Sequence, residues 1–280
     1  MMRGMYSAIS GLKNHQIMLD VTANDLANVN TVGFKASRVS FRDSLAQLQR
    51  SGASATTGSA GAKSAQIGLG VQLGSIDNLM TSGAFQSTGG PYDVAIQGSG
   101  WFRVSNSAAP AGTDEYTRAG NFTLNDAGEL ATQDGWHVVG FGADSAGAPD
   151  TAGGPKFITI PTGATDVSIS PNGAVTYTPS GGGTRATAGY LSLTSFPSEA
   201  GLERSAANRW RANASSGAGT SGVPDTAGLG QTIGGVLEMS NVDLATEFTN
   251  MITAQRGFEA SSRVLSTADE MLQDLVNLKR

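Results

Sequence analysis

Both ends of the chain carry large apolar residues at heptad spacing. In the N-terminal segment, one heptad position is consistently large and apolar, and a second, partly polar position lies between its members. The first position holds Met5, Leu12, Leu19 and Leu26, and the second holds Ile9, Gln16 and Ala23. This spacing predicts an amphipathic helix with a narrow apolar seam. Gly33 is a suitable residue to end it, because glycine readily adopts the left-handed conformation that follows a helix.

The C-terminal segment repeats this pattern. Its large apolar position holds Leu244, Met251, Phe258, Leu265 and Leu272, and its companion position holds Phe248, Gln255, Ser262, Asp269 and Val276. Asn241 or Asp243 can cap the start of the predicted helix, because a short side-chain oxygen there accepts free main-chain N–H groups. Gly257 is the internal residue with the poorest helix propensity. We expect the helix to continue nearly to Arg280.

The two seams are narrower than the apolar stripe that usually faces a globular core. Packing of both helices on a domain core is one interpretation. The narrow seam favours the other, in which the N- and C-terminal helices pair with each other as a coiled coil. The net charges, +3 over residues 1–50 and −2 over residues 241–280, are compatible with that pairing.

The middle of the chain has the pattern of antiparallel β structure. Short apolar–polar alternations are separated by turn sequences, namely Asn125-Asp126-Ala127-Gly128, Asp134-Gly135 and Pro171-Asn172-Gly173. Asn-Gly and Asp-Gly supply the positive φ angles that tight hairpins need. Two stretches rich in Gly, Ala and Ser, residues 51–70 and 213–230, flank this region and are predicted to be linkers.

The pattern therefore predicts an α+β fold in which an antiparallel β domain is inserted between paired terminal helices through Gly/Ala/Ser-rich linkers. The predicted divisions are an N-terminal helix over 1–33, a linker or extended arm over 34–75, a β domain over 76–212, a return linker over 213–240 and a C-terminal helix over 241–280.

Composition narrows the classes of function. Glycine accounts for 38 of 280 residues, roughly twice its usual share of about 7%. The net charge of −5 argues against nucleic-acid binding, and no apolar run is long enough to insert into a membrane. We expect no cleavable secretory signal, because the N-terminal segment lacks an apolar run of about seven or more residues. The absence of cysteine excludes disulfides and thiolate metal sites.

Few residues are candidates for catalysis. Gly217–Gly222 matches a dinucleotide-binding pattern, but no strand precedes it and Pro224 follows it. Asp114 and Glu115 are adjacent, point to opposite faces of an extended chain and are interpreted as a solvated turn. His15 is interpreted as a residue on the polar face of its helix, and His137 as a structural strand residue. We expect no catalytic, cofactor-binding or metal site, and no cofactor.

Several segments resemble the signatures of the flagellar rod and hook family. They lie in the same order along the chain and are residues 19–35, 93–102, 116–122, 237–244 and 254–260. Asp25 departs from the pattern, because the family usually has a second asparagine there. Asn24, Asn28 and Asn30 lie in the first segment. They are interpreted either as turn and capping residues or as a hydrogen-bonding ladder between packed chains.

The resemblance implies a structural subunit of a tubular homopolymer in the flagellum. Such a subunit reaches the outside through the flagellar type III export apparatus without a cleaved signal, and it catalyses no reaction. Within the family, the ends of the chain favour a short hook subunit without an extra outer domain, which would act as a flexible joint that transmits torque. A distal rod subunit of the basal body is the alternative.

The expected partners are further copies of this chain, rod, hook-cap and hook–filament junction proteins, and the export apparatus. No nucleic-acid partner and no membrane insertion are expected. The residues predicted to form the polymer interface belong to the two helical ends. They are Met5, Ile9, Leu12, Leu19, Asn24, Leu26, Asn28, Asn30, Leu244, Phe248, Met251, Phe258, Leu265, Leu272 and Val276.

Overall fold

The structure is a computed structural model that describes residues 2–52, 61, 63–107, 114–144, 147–181 and 183–278. The chain divides into two compact units. The first, here called the arm unit, comprises Met1–Ala27, Ser37–Asn78 and Asp243–Arg280. The second, the β unit, comprises Asn28–Ala36 and Leu79–Val242. Helices and antiparallel strands together make the fold mixed α+β.

The arm unit contains both long helices. Helix α1 spans Met2–Ala27 and helix α2 spans Leu244–Leu278, and the two pack against each other. Asp243 caps α2, because its carboxylate accepts the N–H of Ala245 at 3.0 Å and the hydroxyl of Thr246 at 2.7 Å. Of the two candidate caps in the sequence, Asp243 is therefore correct.

The arm unit also contains an antiparallel ribbon, which consists of two consecutive pairs of strands. Its strands are β1 (Ser37–Asp43), β2 (Ala46–Arg50), β3 (Ala65–Gly68) and β4 (Val71–Asn78). β1 pairs with β4 and β2 with β3, both antiparallel, and the register continues from one pair to the next. The segment predicted as a linker or extended arm is thus paired on itself where it is described, while residues 53–60 and 62 lie outside the described residues.

The β unit contains short strands joined mainly by turns. The first group is β5 (Phe85–Ser87), β6 (Val94–Gln97), β7 (Trp101–Ser105), β8 (Asp114–Thr117), β9 (Thr123–Leu124), β10 (Leu130–Ala131), β11 (His137–Ala143) and β12 (Pro149–Phe157). The second group is β13 (Thr165–Ile169), β14 (Ala174–Thr178), β15 (Ala186–Leu191), β16 (Leu193–Ser195), β17 (Glu203–Arg204), β18 (Arg209–Arg211), β19 (Thr220–Gly222), β20 (Gln231–Gly234) and β21 (Val236–Glu238). A 3₁₀ turn spans Glu199–Gly201.

One large antiparallel sheet organises this unit. Its main path runs β13-β14-β15-β11-β7-β8-β18-β17, and β9, β10, β12, β16 and β19 pair at its sides. β20 pairs with β6 and β21 with β5. The predicted turn around Asn125–Gly128 joins β9 to β10, and Pro171–Gly173 joins β13 to β14. The antiparallel β prediction is confirmed.

The described part of the β unit contains three apolar clusters. One consists of Phe141, Ala174, Tyr190 and Val223, and the other two differ in size. The larger consists of Val94, Ile96, Phe102, Val104, Phe122, Leu130, Val138, Ile158, Ile160, Val167, Ile169, Val175, Leu191, Leu193 and Leu229. The smaller consists of Trp101, Phe196, Leu202 and Trp210. The two tryptophan rings meet edge to face with centroids 5.7 Å apart, a favoured aromatic geometry. Trp101 and Phe102 are neighbours on β7 and belong to different clusters, because successive side chains of a strand point to opposite faces of the sheet.

Two predicted boundaries are wrong. Residues 213–240 are not a linker, because β19, β20 and β21 lie there and pair within the β unit. The Gly/Ala/Ser-rich composition suggested a linker. Main-chain pairing and the buried side chains of Leu229 and Leu237, which average composition does not reveal, order this segment. Helix α1 ends at Ala27 rather than near Gly33. Gly33 instead lies in Asn28–Ala36, which belongs to the β unit.

Candidate assembly surfaces

Helices α1 and α2 run in opposite directions along each other. Gly11 of α1 lies beside Ser261, and His15, one turn later, lies beside Gly257, one turn earlier in α2. A methyl group built on Gly257 would lie 2.5 Å from the imidazole of His15. His15 is therefore in the helix contact and not on a polar face, and Gly257 provides the space for its ring.

Helix α2 presents a regular seam of partly and fully buried residues. Met251, Phe258, Leu265 and Leu272 are half-buried, as the heptad pattern predicts. The other seam position holds Ala254, Ser261 and Ala268. It lies one residue before the predicted companion position, whose members, including Phe248 and Val276, are exposed. Hydrophobicity selected the wrong position here, because close helix packing uses small side chains.

Helix α1 shows the same displacement by one residue. Met5, Leu12, Leu19 and Leu26 are half-buried. The companion position consists of Ala8, His15 and Thr22, whereas the predicted Ile9, Gln16 and Ala23 are exposed. The prediction that Ile9, Gln16 and Ala23 lie in the α1–α2 contact is therefore wrong. Their role in a polymer interface stays a prediction.

An exposed apolar row lies at the start of α2. Leu244, Phe248 and Ile252 are 44%, 50% and 49% exposed. Their spacing of four residues places them along one side of the helix. Three neighbouring large apolar side chains left in solvent are typical of a surface that another protein covers.

The ribbon leaves a second set of apolar side chains in solvent. These are Phe41, Leu45, Leu48, Ile67, Leu69, Val71 and Ile76. An isolated pair of strands is only marginally stable in water, and its outer edges carry unpaired main-chain groups. Both properties make the ribbon a candidate surface for association.

Polar contacts hold the ribbon to α1, and the sequence pattern did not predict them. The Asn14 side-chain amide donates to the carbonyl oxygens of Ser10 at 2.9 Å and Val71 at 2.8 Å. The Val71 N–H donates to the Ser10 hydroxyl at 3.3 Å. The Ser37 N–H donates to the carboxylate of the buried Asp25 at 2.8 Å. The departure of Asp25 from the family pattern was the one signal in the sequence.

The three asparagines of the first signature do not lie together on one buried face. Asn24 and Asn30 are exposed. Asn28 forms a turn, because its carbonyl accepts the Thr31 N–H at 3.1 Å and its side-chain oxygen accepts the Thr31 hydroxyl at 3.0 Å. Turn chemistry therefore accounts for Asn28, and a ladder between chains stays a prediction for the other two.

The interpretation of Asp114 and Glu115 as a solvated turn is wrong, because both lie in strand β8 and Glu115 is buried. The Glu115 carboxylate is the centre of a charged cluster in the β unit. It accepts hydrogen bonds from Arg209 at 2.7 Å, Arg211 at 2.8 Å and the Ser205 hydroxyl at 2.9 Å. Burial alone would raise the pKa of Glu115, but these three donors outweigh it and hold the pKa below its ordinary value. The cluster pairs charges tightly and offers no carboxylate poised to accept a proton near neutral pH.

The described residues contain neither a metal-binding cluster nor a helix that could span a membrane. No group of three or more His, Asp or Glu side chains there is placed to hold a metal ion. Neither described helix has an apolar stretch sufficient to cross a bilayer.

Three parts of the chain match families of flagellar proteins. Residues 5–35 match "Flagella basal body rod protein", residues 95–177 match "Flagellar hook protein FlgE/F/G D1 domain", and residues 233–278 match "Flagellar basal body rod FlgEFG protein C-terminal". The "Flagellar basal-body rod protein FlgG" of Bacillus subtilis is 44% identical over the whole of both chains. The chain belongs to the flagellar rod and hook family.

Further relatives have the same or related names. The rod protein FlgG of Caulobacter vibrioides is 38% identical over 99% of this chain and 100% of its own. The "Flagellar hook protein FlgE" of Borreliella burgdorferi is 26% identical over an alignment of 443 residues that covers both chains. These relatives are structural proteins, and membership of their family places this chain in the flagellum.

Proposed function

We propose that this chain is a structural subunit of the flagellar basal-body rod, which corresponds to the distal-rod alternative of the sequence analysis. The observation that carries the proposal is the end-to-end match at 44% identity to a protein named as a rod protein. The hook expectation has weaker support. The hook relative is 26% identical and needs an alignment far longer than this chain.

The proposed subunit uses its helices as a coiled coil. Support comes from the alternating spacing of three and four residues that links Met251, Ala254, Phe258, Ser261 and Leu265 along α2. The matching positions of α1 and the antiparallel approach at Gly257 fit the same geometry. In this proposal, the paired helices are the inner structural element of each subunit.

Two exposed surfaces of the arm unit would then make contacts between copies. One is the row of Leu244, Phe248 and Ile252, and the other is the apolar ribbon. Association buries both and completes the unpaired ribbon edges. Copies of this chain are therefore the principal proposed partners. Neighbouring rod and hook proteins and the type III export apparatus are the others, and the proposal includes no catalysis and no cofactor.

Electron microscopy of polymers grown from the purified full-length chain tests the proposal. A rod subunit should form straight, stiff tubes, whereas a hook subunit should form curved, flexible ones. Straight tubes are the expected result. Curved tubes would favour the hook, and failure of the pure chain to polymerise under any assembly condition would contradict a self-assembling subunit.

A further inference from the structure

The β unit holds three separate chain segments at the places where the chain enters or leaves it. They are residues 33–36, which precede the ribbon, residues 79–83, which follow it, and residues 238–241, which precede α2. These three segments, here called the junction, are far apart in sequence and hydrogen-bonded to one another inside the β unit.

Asn241 connects all three segments with one side chain. Its oxygen accepts the N–H of Ala36 at 2.7 Å, and its amide nitrogen donates to the carbonyl oxygens of Leu79 at 2.8 Å and Thr81 at 3.1 Å. Main-chain bonds reinforce it, because the Leu79 N–H donates to the Ala36 carbonyl at 2.8 Å. The side-chain oxygen of Asn241 is thus used within the junction, while Asp243 caps α2.

A buried ion cluster connects the same three segments as Asn241. The Lys35 ammonium is 2.7 Å from the Glu238 carboxylate, and both side chains are fully buried. The second Glu238 oxygen is 3.4 Å from Arg118, and the first also accepts the Gly83 N–H at 3.0 Å. Lys35 donates in addition to the Thr81 carbonyl at 2.8 Å. Burial lowers the pKa of Lys35, and Glu238 opposes part of that effect.

The neighbouring Phe34 fits a matching surface. Its ring is buried, with the Arg204 guanidinium 4.7 Å from its centroid and 5.0 Å from that of Trp210. Arg204 also donates to the Lys35 carbonyl at 2.6 Å. Gly33 has φ +66°, and a Cβ there would lie 2.6 Å from the main-chain nitrogen of Ala119. The site therefore accommodates glycine, an aromatic ring and a lysine in that order.

We propose that the β unit contains a binding slot for the Gly33-Phe34-Lys35 segment of its own chain. Glu238 and Asn241 connect this segment to residues 79–83 and 238–241, so that all three segments open and close together as one cooperative clamp. Without Lys35, the buried Glu238 carboxylate loses its nearest cation. Without Glu238, the buried cations of Lys35 and Arg118 lose the carboxylate that they share, so neither segment is stable there without the other. The clamp fixes the chain ends from which the ribbon and α2 start. It does not depend on the identity of the polymer.

Hydrogen exchange on the unmodified full-length protein tests the cooperativity without any variant. Five of the junction amides that donate within the β unit are those of Gly33, Ala36, Leu79, Gly83 and Met239. We expect all five to open with one free energy and one urea dependence, at least about tenfold less protected than Leu130 and Leu191 in the core. Unrelated protection among the five, or protection equal to the core, would overturn the proposal.

Variants test which side chains close the clamp. In Lys35→Met and, separately, in Asn241→Ala, exchange should rise by at least about tenfold in all three segments while β11 and β15 keep their protection. Lys156→Met is the matched control, because this exposed lysine in the same unit also faces a carboxylate, that of Asp150 at 3.6 Å. A rise confined to the mutated segment, an equal rise in the core strands, or no rise would each refute the clamp.

Discussion

Single small residues determine how closely helices α1 and α2 of the arm unit pack. Gly257 lies in the middle of α2, where an alanine would normally favour the helix by about 1 kcal/mol. Here a Cβ would overlap the His15 imidazole, which lies between Gly257 and the Phe41 ring, whose centroid is 6.1 Å from that of His15. The residue that looks weakest in the helix is thus the one that the contact requires.

Gly257→Ala should therefore destabilise the arm unit. We expect a loss of about 1–3 kcal/mol, because an added methyl group forces His15 or α1 to move. Thermal unfolding followed by helical circular dichroism measures it. Gly4→Ala is the matched control in α1, because nothing lies within 4 Å of the added methyl group. An equal or greater stability of Gly257→Ala would contradict the described contact.

Glu115 should make the β unit sensitive to acid. Since its pKa is lowered in the folded protein, its stabilisation is complete above the ordinary value and is lost as the pH falls below it. We expect the urea midpoint of the unmodified protein to fall more steeply between about pH 5 and pH 3 than that of Glu115→Gln. Exposed Glu203→Gln is the control and should keep the steep dependence. Equal slopes for Glu115→Gln and the unmodified protein would disprove this role.

The ribbon is the element whose stability depends most on neighbours. Neither of its two strand pairs has a third strand among the described residues. Much of the apolar surface of the ribbon faces solvent. Asn14 and Asp25 of α1 satisfy main-chain groups at its base. We infer that these contacts fix the ribbon before any association occurs.

Asn14→Ala tests this anchoring. The change removes the side-chain donor of the Val71 carbonyl, and loss of one such hydrogen bond costs about 0.5–1.5 kcal/mol. Amide exchange in β4 should rise while exchange in the β unit stays unchanged. Gln16→Ala, at an exposed position of the same helix, should change neither. Unaltered exchange in β4 would show that Asn14 does not hold the ribbon.

Sequence periodicity predicted both helices and one position of each seam. It missed the other position because it ranked Ile9 and Phe248 above Ala8 and Ala254, although short side chains allow the closer approach. Hairpin turns such as Pro171–Gly173 were predictable because their chemistry is local. The slot for Phe34 and Lys35 was not, because its partners Arg204 and Glu238 are distant in the chain.

Across the whole molecule, the residues that hold the subunit together differ from those proposed to join copies. Phe258 and Leu265 are half-buried in the subunit, whereas Phe248 and Ile252 of the same helix are left in solvent. Family membership identifies a structural flagellar protein, and exposed apolar rows identify where its copies are proposed to meet. Hydrophobicity alone does not separate the two sets.

Polymerisation of the double variant Phe248→Ser/Ile252→Ser, followed by sedimentation, tests whether the apolar row at the start of α2 joins copies of the chain. Loss of two apolar side chains from an interface should raise the concentration needed for polymers by more than about tenfold. The helical circular dichroism of the monomer should stay unchanged. Gln255→Ser, at an exposed polar position of the same helix, should polymerise normally. Normal polymers of the double variant would contradict the proposed assembly surface.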